Sequence, residues 1–467
     1  MNIRREIDQN LVKFNNKDYI FEKKEGIYTS IKFNDFINKA KALATYLIDN
    51  NYKDKTILLI GKNSINYMIS DTAITIYTGI CVNINRDTKE EDLDDIVKSL
   101  NISLIMYTSE QEEKINLMKS SIEKINVDKV IDKVKTIKEE YKDYDENSCT
   151  KIIFSSGTTS KPKGVKLSTK NMYAGFNSVQ RRVVFNTEDV IYNILPMHHT
   201  YSNLCLFYYT FLSGATIYLC SSINNIIEEI KEVNPTVFCG VPLIYERFNE
   251  YYKGNVKDAF GNRIRRLYAG GAPLNIDLKN NFRKNGLNLL DTYALTETSS
   301  SFAAEYINEE YDGNVGTLYE DMKFKILDPD ENGIGEICAK GDAIFLGYTT
   351  PVEDIFTTDG YFKTGDLGYI KNNKLYLKGR KKRVLIGSNG ENIYVDEISE
   401  KLKELDKNIN YVTVSLKDNE ICVILYLENK DLTDVDKLIE LYNSKCTQKN
   451  RICKYSVSDK KNYEKLV

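Results

Sequence analysis

Short apolar runs rich in Ile, Val and Tyr recur along the first half of the chain, at 57–60, 80–84, 104–107, 151–154, 191–195, 216–219 and 267–269. They are continuous rather than alternating, the pattern of strands buried on both faces. Helix-length amphipathic stretches such as 223–233 lie between several of them, and another, 33–49, precedes the first. Strand–helix alternation of this kind predicts α/β layers around parallel strands. The longest apolar stretch, 65–82, contains Asn66, Ser70 and Asp71. It reads as a buried helix followed by a strand, not as the roughly 20 apolar residues of a membrane span. The segment 109–147 is dominated by Lys, Glu and Asp and predicts a solvated, helix-rich excursion.

Beyond about Met322 the texture changes to short strands with Gly and Asp turns. KFKILDPDENGIGEICAKG (323–341) predicts a hairpin turning at 328–335, and 368–377 predicts a second, turning on Asn372-Asn373. The end of the chain predicts a helix at 395–405, strands at 411–416 and 420–427, a helix at 432–442 and a strand at 452–457. That is a small α+β unit.

Composition narrows the class. A chain of 467 residues exceeds one ordinary core and implies two or three domains. With 64 basic and 67 acidic residues, there is no electrostatic case for nucleic acid as the main partner. The start, MNIRREIDQN, lacks the apolar core of a signal peptide, so the expected location is the cytoplasm, with no membrane span. None of the nine Cys falls in a Cys-x-x-Cys pair, which predicts reduced thiols in apolar surroundings. The two His are adjacent, His198 and His199, which excludes a three-histidine metal site.

Candidate chemistry starts at IIFSSGTTSKPKGVKLS (152–168). A strand runs into the small and hydroxylated residues Ser155, Ser156, Gly157, Thr158, Thr159 and Ser160, then Lys161, Pro162, Lys163 and Gly164. Such a loop suits a polyphosphate. Gly157 and Gly164 permit conformations that aim amides at anionic oxygens. Hydroxyls add donors, one of them able to touch magnesium, and the lysines supply charge. The Gly-x-x-x-x-Gly-Lys-Ser/Thr order of nucleoside triphosphatases is absent. A surface Ser/Gly turn is the plain alternative, which the full string with its preceding strand disfavours.

SSGTTSKPKGV closely resembles the signature loop of the adenylate-forming superfamily of acyl-CoA synthetases, peptide-synthetase adenylation domains and luciferases, with bacterial fatty acyl-CoA synthetases nearest in look. Ser160 stands where Gly is usual, and Thr169 where His is frequent. The resemblance extends over about 25–460. It implies an α/β fold: a large N-terminal domain of α/β layers with a small β-barrel-like part (1–379), then a small mobile α+β domain (380–467) hinged near Lys382. It implies that the loop grips the ATP phosphates, with Thr158 and Lys163 in catalytic positions. NILPMHHTYSN (193–203) places His199 by the substrate carboxylate; the Asp that binds an amine in amino-acid-activating domains is missing, so the acid lacks an α-amine. RLYAGGAPL (266–274) implies that Gly270, Gly271, Ala272 and Pro273 cover the adenine. LLDTYALTETSS (289–300) implies Asp291 and Tyr293 on the nucleotide, Thr296 on the α-phosphate and Glu297 on Mg2+, with Thr158 as the second metal contact. YFKTGDLGYI (361–370) and GRKKR (379–383) imply that Asp366 and Arg380 hold the ribose. In SNGENIYVDEIS (388–399), Gly390 matches the glycine past which a pantetheine arm enters, and Glu397 matches the helix after it.

The implied activity is AMP-forming ligation. ATP activates a small-molecule carboxylic acid as acyl-AMP, and the acyl group passes to the thiol of coenzyme A or of a carrier-protein phosphopantetheine. Either coenzyme A or an acyl or peptidyl carrier protein is therefore the implied partner. FCGVPLIYERF (238–248) resembles the segment after which long-chain enzymes build an acyl tunnel, and it tilts the acid toward a fatty acid. An aryl-acid ligase is the alternative, and a catalytically weak acyl-adenylate or ATP-binding protein is another. The family's terminal Thr-x-x-Gly-Lys-type loop has no match in SVSDKKNYEKLV, so the expectation is slow adenylation with transfer retained.

Overall fold

Apolar runs that cannot face water on either side become inner strands, and the sheet they build carries the phosphate-loop candidate at its edge. The computed structural model describes residues 3–138, 141, 145–155, 163–307, 309, 311–386, 392–417, 420–447 and 450–459. They fold as two compact units, Met1–Lys323 with Lys340–Asp354 and Phe324–Ala339 with Ile355–Val467. The boundary expected at 379/380 falls inside the second.

In the first unit, Thr56–Ile60 lies between Ile80–Ile84 and Leu104–Tyr107, parallel to both. Ile57, Leu58, Leu59 and Ile60 are fully buried. Cys149–Ser155 joins parallel to Ile80–Ile84, and Lys163–Ser168 folds back antiparallel on it. Short Gly347–Tyr348 closes that edge against Lys163–Ser168. The stretch 65–82 folds as expected, with one refinement. Ser64 caps the helix Ile65–Thr72 by accepting the Tyr67 amide at 3.1 Å, and a π-turn at Ala73–Thr78 precedes the strand. Segment 109–147 differs from a purely solvated excursion: Glu123–Asn126 pairs parallel with Leu104–Tyr107 at the sheet edge. Its apolar residues Ile115, Ile125 and Val127 are buried, which outweighs the surrounding charge.

A second sheet of this unit runs in the order Val237–Gly240, Arg266–Ala269, Leu289–Leu295, Ser300–Ala304, with Val190–Asn193 and Thr216–Leu219 continuing it on the Val237–Gly240 side. The helix Pro242–Tyr251 packs onto this sheet through Tyr245 and Phe248, in an aromatic cluster with Phe238, Phe260 and Phe282. Among the described residues, no helix is long and apolar enough to cross a membrane.

In the second unit, Phe362–Lys371 and Lys374–Arg380 form the expected hairpin, with Lys371 opposite Lys374. Asn372 and Asn373 turn it at φ 51° and 61°, values that Asn tolerates better than most residues. Gly335–Lys340 pairs antiparallel with Phe362–Lys371. The α+β module follows the expected order. Helices Val395–Leu405 and Val435–Lys445 cover a sheet of Ile409–Lys417, Glu420–Leu427 and Ile452–Asp459, sealed by Ile398, Leu402, Leu425 and Tyr442. Cys81, Cys239 and Cys338 are buried thiols.

Candidate active site

The phosphate-loop candidate is held by the strands on either side of it. Ser155 stands opposite Lys163, and Phe154 opposite Gly164, so the hairpin delivers both loop ends together. Ser156, Gly157, Thr158, Thr159, Ser160, Lys161 and Pro162 lie outside the described residues, as do Gly390 and 460–467. Gly164 corrects the expectation placed on it. It lies in the strand, where a Cβ would sit 2.7 Å from Thr349 Cγ2 and 2.9 Å from Ile152 Cγ2. Glycine is needed here for close packing, and its carbonyl accepts the Thr349 amide at 2.8 Å.

Tyr348 joins the loop exit to the candidate magnesium ligand. Its hydroxyl donates to Glu297 Oε1 at 2.7 Å, and its ring lies 5.3 Å from Lys163 Nζ. The Glu297 carbonyl also accepts the Phe345 amide at 2.8 Å. The carboxylate and the loop lysine are thus brought to one place by a residue that no sequence pattern singled out. Among the described residues, no group of three His, Cys, Asp or Glu side chains forms a metal cage. A single carboxylate suits Mg2+, which fills its remaining positions with phosphate and water.

A cavity of about 300 Å³ opens beside this edge. His199, Gly270, Gly271 and Thr296 all line it, so the structure assembles four expected site residues from three separate segments. A Cβ on Gly270 would meet Thr292 Oγ1 at 2.8 Å, and Gly271 takes φ +83°. Both positions need the absent side chain. Ala272 and Pro273 are exposed and do not belong to this lining. His199 follows the turn in which its amide donates to the Pro196 carbonyl at 3.1 Å. His199 is exposed at the cavity mouth, where partial desolvation lowers its pKa, and burial with the charges of His199 and Arg86 lowers His198 to about 3. Both imidazoles are therefore neutral near pH 7, and His199 is able to donate to or accept from a substrate without adding charge.

The strand Leu289–Leu295 departs from expectation at two residues. Thr292, Ala294, Leu295 and Thr296 line the cavity, whereas Tyr293 turns its ring edge-on to Phe302 at 4.7 Å and is only 9% exposed. Asp291 is buried among charges instead: its amide donates to Glu305 Oε2 at 2.7 Å, and Glu305 pairs with the fully buried Lys279. Alternation sets Asp291 and Tyr293 opposite to Thr292, and an irregularity in the pairing after Tyr293 accompanies the cavity contact of both Ala294 and Leu295. Burial pushes the Asp291 carboxyl up to about 8, against the opposing charge of Lys279 and with that of Glu305. The folded state then holds a proton that the unfolded state releases near 3.8, so stability falls as pH rises from about 4 to about 8. Asp291→Asn removes that slope. In urea unfolding at pH 5 and pH 8.5, the unaltered protein should lose at least about 1 kcal/mol more than the variant; equal losses would show that Asp291 carries no such proton.

In the second unit, Asp366 and Arg380 stand opposite each other in register and form an ion pair of 2.6 Å, with Asp366 only 6% exposed. The two residues expected at the ribose are therefore adjacent. Asp396, missed in the sequence, organises the GRKKR turn: it accepts the Arg380 amide at 3.1 Å and pairs with Arg383 at 2.6 Å. Gly379 takes φ +128°, and a Cβ there would lie 2.8 Å from Asp396 Oδ2.

Residues 8–349 match the AMP-binding enzyme family model. The chain is 26% identical to a 2-succinylbenzoate–CoA ligase of Staphylococcus epidermidis, over 92% of this chain and 88% of that protein. It is 22% identical to the long-chain-fatty-acid–CoA ligase ACSBG2 of Rattus norvegicus, over 74% of this chain and 64% of that protein. The fold matches o-succinylbenzoate coenzyme A synthetase of Bacillus subtilis, solved with ATP and magnesium ion, at TM-score 0.82 and 21% identity, covering 97% and 95% of the two chains.

Proposed function

Since the chain belongs to the AMP-binding enzyme family, we propose that it is an ATP-dependent, AMP-forming acid–CoA ligase whose acid is a compact aryl carboxylate with a neutral tail. The carrying observation is the cavity: about 300 Å³, walled by Val179, Val183 and Phe185 together with His199 and Thr296, and free of charged side chains in its described lining. A buried ionised tail would go unpaired there, at a cost of several kcal/mol or more. The tilt toward a fatty acid rested on an acyl tunnel near 240–248. Tyr245 and Phe248 instead fill that region as core, at 0% and 2% exposure. The succinylbenzoate relative supports an aryl acid but not the neutral tail, since its own acid carries a second carboxylate, and the fatty-acid relative keeps the longer chain as a second reading.

The residues fit a magnesium nucleotide. Glu297 is a hard oxygen donor beside Lys163, and Gly270 and Gly271 leave room that side chains would fill. Magnesium, when bound, offsets phosphate charge. Glu297 and Thr158 are the proposed ligands. The reaction demands positioning and charge neutralisation more than an acid or base. Lys163 and the loop hydroxyls hold the phosphates, Thr296 donates at the α-phosphate, and neutral His199 orients the attacking carboxylate. Carboxylate attack on the α-phosphorus expels pyrophosphate, and a thiolate then displaces AMP. Coenzyme A is the proposed thiol, admitted past Gly390 by a hinge at Lys382. Asp366 and Arg380 are proposed to hold the ribose in a cytoplasmic enzyme.

A panel of benzoate, phenylacetate, hexanoate, palmitate and an α-amino acid, assayed for acyl-CoA formation, tests the acid. The aryl acids should have kcat/KM at least about 10-fold above palmitate, the step expected when a chain outgrows its pocket. Palmitate as the best substrate would refute the compact cavity.

A further inference from the structure

The strand that feeds the phosphate loop and the turn that presents His199 meet at one buried carboxylate. Lys151, four residues before the loop, and Asp71 are both wholly buried. Lys151 Nζ donates to both Asp71 oxygens at 2.7 and 2.8 Å, and to Asn83 Oδ1 at 3.0 Å. Tyr208 donates its hydroxyl to the same carboxylate at 2.7 Å and Asn83 its amide at 2.8 Å. Asn203 completes the ring and reaches beyond it. Its Nδ2 donates at 3.1 Å to Asp71 Oδ2 and at 3.1 Å to the Met197 carbonyl, and its backbone amide donates to the His199 carbonyl at 2.8 Å. From the other side, Asn63 accepts the Met197 amide at 2.9 Å and donates to the Leu195 carbonyl at 2.8 Å.

A buried ion pair adds little net stability over apolar side chains of the same volume. Stability alone therefore does not account for so complete a set of donors. The Asn203 amide can point only one way, because turning it over would aim its oxygen at the Asp71 carboxylate. We propose that Asn203 is a positioning residue for the reaction, tying the Pro196–His199 turn to the Asp71–Lys151 pair so that His199 and the strand Cys149–Ser155 hold a fixed relation. The proposal rests on reading the cavity as the adenylation site.

Three variants separate positioning from support of the fold. Asn203→Leu removes the link. Asn63→Ala loosens the same turn from a half-exposed position, and so serves if Asn203→Leu does not fold. Tyr67→Phe deletes a hydroxyl at the far side of the ring, where it accepts from Asn83 at 2.9 Å. Each is assayed for acid-dependent pyrophosphate exchange, with rates divided by active sites counted from the burst of acyl-AMP. Asn203→Leu and Asn63→Ala should lose about 10- to 100-fold in kcat with a raised KM for the acid, and hold the KM for ATP within about 2-fold. Tyr67→Phe should lower the melting temperature and leave the normalised kinetics unchanged. Unchanged normalised kinetics in the Asn203 and Asn63 variants would overturn the proposal alone. Absence of acid-dependent exchange in the unaltered enzyme would overturn the reading of the cavity as well.

Discussion

Glu297→Gln should slow acyl-adenylate formation by about 10²- to 10³-fold, the usual consequence of removing one charge-stabilising group from a preorganised site. The substitution keeps shape and removes charge. The Tyr348 hydroxyl, now 2.7 Å from Oε1, still finds an amide oxygen to donate to, so the local fold is retained and thermal unfolding should be unchanged. What is lost is the carboxylate proposed to hold magnesium beside Lys163. Raising magnesium should recover part of the rate. Tyr348→Phe gives the graded comparison: it keeps the ring facing Lys163 and frees the carboxylate, for a smaller loss of about 3- to 10-fold on the scale of one hydrogen bond to a charged group. Single-turnover formation of acyl-AMP across a magnesium titration reads both. A Glu297→Gln rate within about 3-fold of the unaltered enzyme at every magnesium concentration would remove Glu297 from the metal site.

Lys151→Met should cost about 3–5 kcal/mol of stability, because it leaves the Asp71 carboxylate buried without its cation. Burial alone would raise the Asp71 carboxyl; the charge of Lys151, with hydrogen bonds from Lys151, Tyr208 and Asn83, holds it below its usual value. In the unaltered protein this contribution is present above about pH 4 and is lost as pH falls through the lowered value. In Lys151→Met burial dominates, the carboxyl takes up a proton on folding, and stability should fall as pH rises. Between pH 5 and pH 8, where the pair adds no slope in the unaltered protein, Lys151→Met therefore adds a falling one. Adding Asp71→Asn should return part of the loss, since the buried charge is gone while one of the two acceptor positions becomes an amide nitrogen. Urea unfolding at pH 5 and pH 8 reads each quantity. A single variant as stable as the double variant at both pH values would show that the pair is not held as an ion pair.

What the sequence could show followed from how local each signal is. The strands at 57–60, 104–107 and 216–219 announced themselves because burial on both faces demands unbroken apolar residues. Asn372-Asn373 marked its turn because few residues accept positive φ there. Phosphate binding was legible from the loop string, since Gly, hydroxyls and Lys suit phosphate, and the family from the resemblance of that string to a known signature. Side-chain direction was harder. Nothing in LLDTYALTETSS tells which residues of the strand face the cavity, and Asp291 and Tyr293 fell on the other side. Partnerships across long separations were hidden altogether. Lys151 looks like one polar interruption of an apolar run until the fold sets Asp71, 80 residues away, against it. Tyr348 lies 51 residues from the carboxylate it holds. The acid was not legible because FCGVPLIYERF supplies either tunnel wall or core, and only packing shows that Tyr245 and Phe248 are core.

Acid-dependent exchange of pyrophosphate into ATP tests the central claim most directly. The account predicts exchange that requires both magnesium and a carboxylic acid, is fastest with a compact aryl acid, and yields AMP once coenzyme A is added. Hydrolysis of ATP to ADP, or no exchange with any acid of the panel, would contradict it.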